Sequence, residues 1–167
     1  GGDGASALLV GSADDGPLVA EVLGMAGVTE EFLDRWRVPG ETHSRLWEER
    51  FGEGRYTALG ARAWDDGLKA AGLVADQVDT VVIVAGHKRA ATSLARKLGV
   101  GDKLAAGLDG AVGFTGAAHP GLALADALDR AGPGAVVALV VLADGADVVV
   151  FRATEALATV RRPPGVA

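Results

Sequence analysis

The sequence predicts an α/β fold: a mostly parallel five-stranded sheet flanked by helices, with an antiparallel terminal hairpin at its edge. Three observations predict it. Apolar, β-branched runs alternate with segments of helical spacing, the pattern of strand–helix–strand units. Residues 80–85, Thr-Val-Val-Ile-Val-Ala, form a continuous run typical of a strand covered on both faces. Residues 135–142 and 147–152 are two further runs joined by Ala143-Asp144-Gly145-Ala146, a hairpin-like turn.

Composition narrows the function classes. The chain has 167 residues, enough for one buried core. Hydrophobic residues make up 49% and charged residues 23%, which excludes a disordered tail. A net charge of −6 argues against a nucleic-acid partner, whose phosphates need a basic face. There is no cysteine, so the chain holds no disulfide, thiolate metal site or cysteine nucleophile. Its apolar runs are shorter than the roughly 20 residues of a membrane span. The expectation is a cytoplasmic protein that binds neither membrane nor nucleic acid.

Residues 5–10 read as a buried strand ended by Gly11 and a polar turn, and residues 18–28 as a second one. Residues 29–54 hold two of the three tryptophans, dense charge and the breakers Pro39-Gly40, Gly52 and Gly54. This reads as a decorated loop with two short helices, one capped by Thr29 over 30–37. Residues 59–71 have helical spacing and end at Gly72. Lys88 to Leu98 is a helix stopped by Gly99, residues 103–112 a weaker strand, and residues 117–131 a helix closed by Gly132-Pro133-Gly134. Arg161-Arg162-Pro163-Pro164-Gly165 reads as a linker, because two prolines cannot continue a helix or central strand. The chain begins at Gly1-Gly2-Asp3-Gly4 without methionine and runs at once into an apolar stretch, as a piece of a longer polypeptide would.

Local motifs then add a resemblance. Gly2-Asp3-Gly4-Ala5-Ser6-Ala7 resembles a Gly-Asp-Gly-Ala-x-Ala lead into a strand. Asp34-Arg35-Trp36-Arg37, then Arg50-Phe51-Gly52-Glu53 and Tyr56, resemble Asp-Phe-Trp-Arg and Arg-Phe-x-Gly-x-x-x-Tyr. Gly113-Phe114-Thr115-Gly116-Ala117-Ala118 looks like a Gly-Asn-Thr-x-x-Ala loop. Together these resemble the C-terminal half of the thiolase superfamily, in its hydroxymethylglutaryl-CoA synthase and ketoacyl synthase III branch. The resemblance implies that residues 1–11 are the last strand of an N-terminal half, 12–158 the C-terminal half and 159–167 a linker. It implies an acyltransferase acting on acyl-CoA or acyl-carrier-protein thioesters, with coenzyme A as part of a substrate and no bound cofactor. The implied partners are the N-terminal half, a second copy in a homodimer, and an OB-fold/zinc-ribbon domain. Two alternatives stand beside it: a non-catalytic thiolase-fold scaffold subunit, and a thiolase-fold aldolase working with an OB-fold partner. A cysteine upstream of Gly1 in an Ala-Cys-Ala/Ser/Tyr setting favours acyl transfer, and its absence favours the other two.

The family uses a cysteine, a histidine and an asparagine with backbone amides. The cysteine lies in the other half. The ungapped run from Asp79 to Lys97-Leu98-Gly99 puts the histidine position on Val84, and the loop puts the asparagine on Phe114. Neither side chain moves a proton or donates a hydrogen bond. His87, three residues after Val84, is the nearest candidate to replace the catalytic histidine, against a helix-start role. His119 before Pro120 reads first as a helix start beside the Phe114 loop and second as a proton-transfer group. Lys88 and Arg89 are candidates for coenzyme A phosphates, and Gly113 and Gly145 for substrate-side backbone approach, each against a plainer reading as solvated helix face or turn. Asp144 and Asp147 read as a polar turn, and no metal site is expected. His43 reads as a surface residue, and Trp36, Trp47 and Trp64 as packing anchors.

Overall fold

A computed structural model describes residues 1–160. The expected linker from 161 on lies outside the described residues, and Thr159 still belongs to a short helix, α4 (Ala156–Thr159). The sheet is mixed and has four strands: β1 (Ala20–Val28), β4 (Thr80–Ala85), β5 (Val136–Leu142) and β6 (Ala146–Ala153), in the order β1-β6-β5-β4. β4 pairs parallel with β5, while β6 pairs antiparallel with both β5 and β1. Three strands therefore run one way and β6 runs against them. The terminal hairpin, expected at the edge of the sheet, lies inside it, because β1 covers the outer side of β6.

Side chains alternate between two cores, as period-2 strands demand. Val136, Ala138, Val140 and Leu142 of β5 face a core with Leu59, Trp64 and Leu94, while Val137 and Leu139 face a second core with Leu124 and Ala127. The first core lies under α1 (Glu49–Ala71) and α2 (Lys88–Leu98), the second under α3 (His119–Arg130). On β4 the alternation sends Val81 to the first core and Val82 and Val84 to the second. Val84 thus faces α3.

Four expectations are corrected. Residues 5–10 form no strand: they meet no ladder partner among the described residues, and Leu8, Leu9 and Val10 lie exposed. Residues 103–112 make a single parallel bridge, Val81 to Leu104, before turning at Leu108, so the fifth strand is missing. Residues 30–37 are not helical. They contribute β2 (Arg35–Trp36), which pairs with β3 (Arg45–Leu46). Phe32 reaches Tyr56 and Phe51, and Trp36 meets Trp47 edge-on, so aromatic contacts override the local helix signal. Finally, α1 begins ten residues before the expected start. Gly52 and Gly54 read as breakers, but a Cβ on Gly52 would sit 3.2 Å from Asp34 Oδ2 and 3.3 Å from the His87 ring. Gly52 allows close packing and does not end the helix.

Candidate functional site

The carboxyl ends of β1, β4 and β5 gather at one edge of the sheet, where open α/β sheets place ligands. A cavity of about 250 Å³ lies there beside the end strand β4, lined by α2 as well as by the start of α3. One wall is apolar: Ile83, Val84 and Ala85 from β4, and Phe114. The other is polar: Lys88 from α2, Asp109 and His119. Val84, Phe114 and Lys88, singled out in the sequence, are therefore brought together.

His87 is placed elsewhere. It is the N-cap of α2, and its Nδ1 accepts the Ala90 amide at 3.2 Å. An accepting Nδ1 leaves the proton on Nε2, which donates to the Glu49 carbonyl at 2.8 Å. Both ring nitrogens are thus engaged with backbone, tying α2 to the start of α1, and His87 does not line the cavity.

The imidazole that does line it is His119. It is 5% exposed, and its ring centroid lies 4.9 Å from that of Phe114. The Thr115 amide donates to Nδ1 at 3.4 Å, and Thr115 Oγ1 lies 3.3 Å away. Nε2 lies 3.4 Å from Asp109 Oδ1, and Lys88 Nζ lies 3.3 Å from the other oxygen of the same carboxylate. Asp109 carried no signal in the sequence because it sits in the segment read as a strand. The His-Pro pair of His119 reads as a helix start, and it is one.

The remaining candidates separate. Arg89 pairs with Glu49 at 3.2 Å and lines a second, open hollow of about 350 Å³ on α2 with Lys88, Glu53, Ser93 and Arg96. Gly113 has a positive φ of 72° and packs against the N-terminal segment: a Cβ there would meet Gly2 at 2.9 Å. The Gly2 amide donates to the Phe114 carbonyl at 2.9 Å, so the two glycine motifs of the sequence touch. Gly145 closes the β5–β6 turn under β1, where a Cβ would lie 2.8 Å from the Val28 carbonyl. Neither glycine lines the cavity.

Asp34 and Tyr56 form a separate polar contact. The Tyr56 hydroxyl donates to Asp34 Oδ1 at 3.3 Å. Burial above all, then the Asp34 carboxylate, pushes its pKa up from 10.0 to about 12, with the Asp144 backbone acting the other way.

No protein-family model matches the sequence. No curated protein matches it either. Solved structures do match the fold. A 3-oxoacyl-(acyl carrier protein) synthase III, FabH, from Pseudomonas aeruginosa PAO1 superposes with a TM-score of 0.68 at 18% identity, covering 80% of this chain and 44% of that one. A 3-oxoacyl-[acyl-carrier-protein] synthase III from Aquifex aeolicus VF5 gives 0.67 at 18% identity, with 82% and 46% covered. An HMG-CoA synthase complexed with CoA gives 0.64 at 15% identity, with 86% and 42% covered. The chain has the thiolase-like fold and spans less than half the length of each of these structures. Among the described residues no helix is long and apolar enough to cross a membrane.

Proposed function

We propose that this chain is the C-terminal half of a hydroxymethylglutaryl-CoA synthase-like acyltransferase, working on acyl-CoA or acyl-carrier thioesters with an N-terminal half that brings the cysteine. The observation that supports this best is the convergence of β4, the Phe114 loop and the start of α2 on one cavity, in a fold whose solved neighbours include an HMG-CoA synthase holding CoA. The apolar wall of Val84, Ala85 and Phe114 suits an acyl-pantetheine arm. Lys88 lines both this cavity and the open hollow that holds Arg89, and phosphates would lie in that hollow. Lys88 and Arg89 are held by exposed carboxylates, Asp109 and Glu49. Exposed pairs are worth about 0–1 kcal/mol, so exchanging them for a phosphate costs little. A homodimer, an OB-fold/zinc-ribbon partner and a cytoplasmic setting belong to the same proposal.

One observation favours the scaffold or aldolase alternatives: Val84 and Phe114 leave no polar side chain at the two positions where the resemblance puts histidine and asparagine. Calorimetric titration of acetyl-CoA into the complete protein decides between the readings. Binding is expected, weakening about fivefold in Arg89→Glu, as the loss of an exposed pair implies. Added salt weakens it further. No heat of binding in the unmodified protein contradicts the thioester reading and leaves the scaffold.

A further inference from the structure

We propose that His119 is a catalytic hydrogen-bond donor of the Val84–Phe114 cavity, its Nε2–H binding the thioester carbonyl oxygen and stabilising the negative charge that develops there. The inference rests on the thioester reading above.

The tautomer comes from the backbone. A peptide amide only donates, so the Thr115 amide at 3.4 Å makes Nδ1 an acceptor and leaves the proton on Nε2. That Nε2–H lies toward Asp109, which lines the cavity with His119. Asp109 Oδ1 lies 3.4 Å from it as an ion-pair contact and not as a hydrogen bond, so the donor stays open to a ligand. The other polar groups lining the cavity serve less well. The Thr92 hydroxyl donates to the Lys88 carbonyl at 3.2 Å. Lys88 is 81% exposed at its side chain and pairs with Asp109, and Asp109 itself only accepts. His119 is the one buried side-chain donor among the described residues lining the cavity.

The surroundings fix it in place. The Phe114 ring packs at 4.9 Å with a 35° tilt, which restrains the imidazole. Phe114 cannot donate, but it orients a neighbour that can. Asp109 contacts the ring at Nε2, 3.4 Å away, and helps to hold its orientation. Donors held in a water-poor site stabilise developing charge far more than donors in water, and need no reorganisation. In this role the imidazole donates a hydrogen bond and gives up no proton.

The test is isotope-edited infrared spectroscopy of acetyl-CoA, carbon-13-labelled at the thioester carbonyl, added to the complete protein. The expected result is a carbonyl band lowered on binding, whether the thioester is still on coenzyme A or on the enzyme. The band returns toward the free value in His119→Phe and stays partly lowered in His119→Gln, which keeps an N–H. Turnover falls about 10²–10³-fold in His119→Phe, the usual loss for one such donor, while acetyl-CoA affinity holds. An identical band in the native protein and His119→Phe overturns the role of His119 and leaves the thioester reading standing. Absence of any bound thioester in the native protein overturns that reading, and the role with it. Should His119→Phe fail to fold, the nitrogen-15 resonance of His119 Nε2 in the native protein decides. A shift on adding acetyl-CoA supports the role, and an unmoved resonance overturns it.

Discussion

The sequence offered His87 and His119 the same two roles, helix start and chemistry, and the structure places only His119 at the cavity. His87 is capped into the backbone at both nitrogens, whereas His119 lies against Asp109 and Phe114 in the cavity. His87→Ala removes an N-cap acceptor and a donor to Glu49. The expected cost is about 1–2 kcal/mol of stability, read by chemical denaturation, with the proposed thioester turnover of the folded complete protein within about twofold. A fall on the order of 10²-fold at unchanged stability would return His87 to the chemistry. Tyr56, the single tyrosine of the chain, makes a second residue-scale case. Its folded pKa lies near 12 against 10.0 when free, so above pH 10 the unfolded state binds fewer protons than the folded one. Stability contributed by its neutral hydroxyl is full below pH 10 and is lost as pH rises through about 12. The tyrosinate absorbance difference between the complete protein and Tyr56→Phe should therefore stay small at pH 10 while the fold persists. Ionisation at the ordinary value would contradict the burial and the Asp34 contact.

Elements were legible where one segment carried its own signal. Lys88–Leu98 has a capping residue, an inward apolar stripe and a glycine stop, and the helix occupies those bounds, with Gly99 at a φ of 68°. The run 80–85 needed only its β-branched continuity. What failed was information held by partners. Residues 5–10 look like a strand but meet no ladder, and Leu104 reaches Val81 for one bridge only. Residues 30–37 lose their helix to rings on α1, and of the two glycines that read as breakers α1 keeps Gly52 under Asp34 and His87 and Gly54 in open space. The cavity is legible in Val84 and Phe114 but not in Asp109, which enters through the path of a loop. Gly24 shows how tightly the elements meet: a Cβ there would lie 2.4 Å from the Ala71 amide nitrogen, at the point where β1 is bulged against the end of α1. Backbone cannot step aside as a side-chain tip can. Gly24→Ala should destabilise the complete protein by about 1–3 kcal/mol, measured by denaturant midpoint. An unchanged midpoint would mean that the β1–α1 contact is looser than described.

On the scale of the whole molecule, the two faces of the sheet are covered unequally. α1 and α2 bury one face, but on the other α3 packs mainly on β4 and β5, with Phe151 of β6 beside that core. Beyond α3, Val22 and Met25 of β1 are 56% and 67% exposed, and Leu8, Leu9 and Val10 add to the apolar surface. Faces of this kind mark contact surfaces, and in our reading the N-terminal half takes this one. Residues 1–167 produced alone should associate at micromolar concentration in sedimentation velocity, and co-expression with the N-terminal half should suppress this. A sharp-melting monomer would count against that partner. The proposed function turns on where a thioester sits. A crystal structure of the complete protein with acetyl-CoA tests it most directly. The account predicts the thioester carbonyl oxygen about 2.7–3.2 Å from His119 Nε2, between Val84 and Phe114, with phosphates beside Lys88 and Arg89. Acetyl-CoA bound away from that cavity, or no acetyl-CoA at saturating concentration, would contradict it.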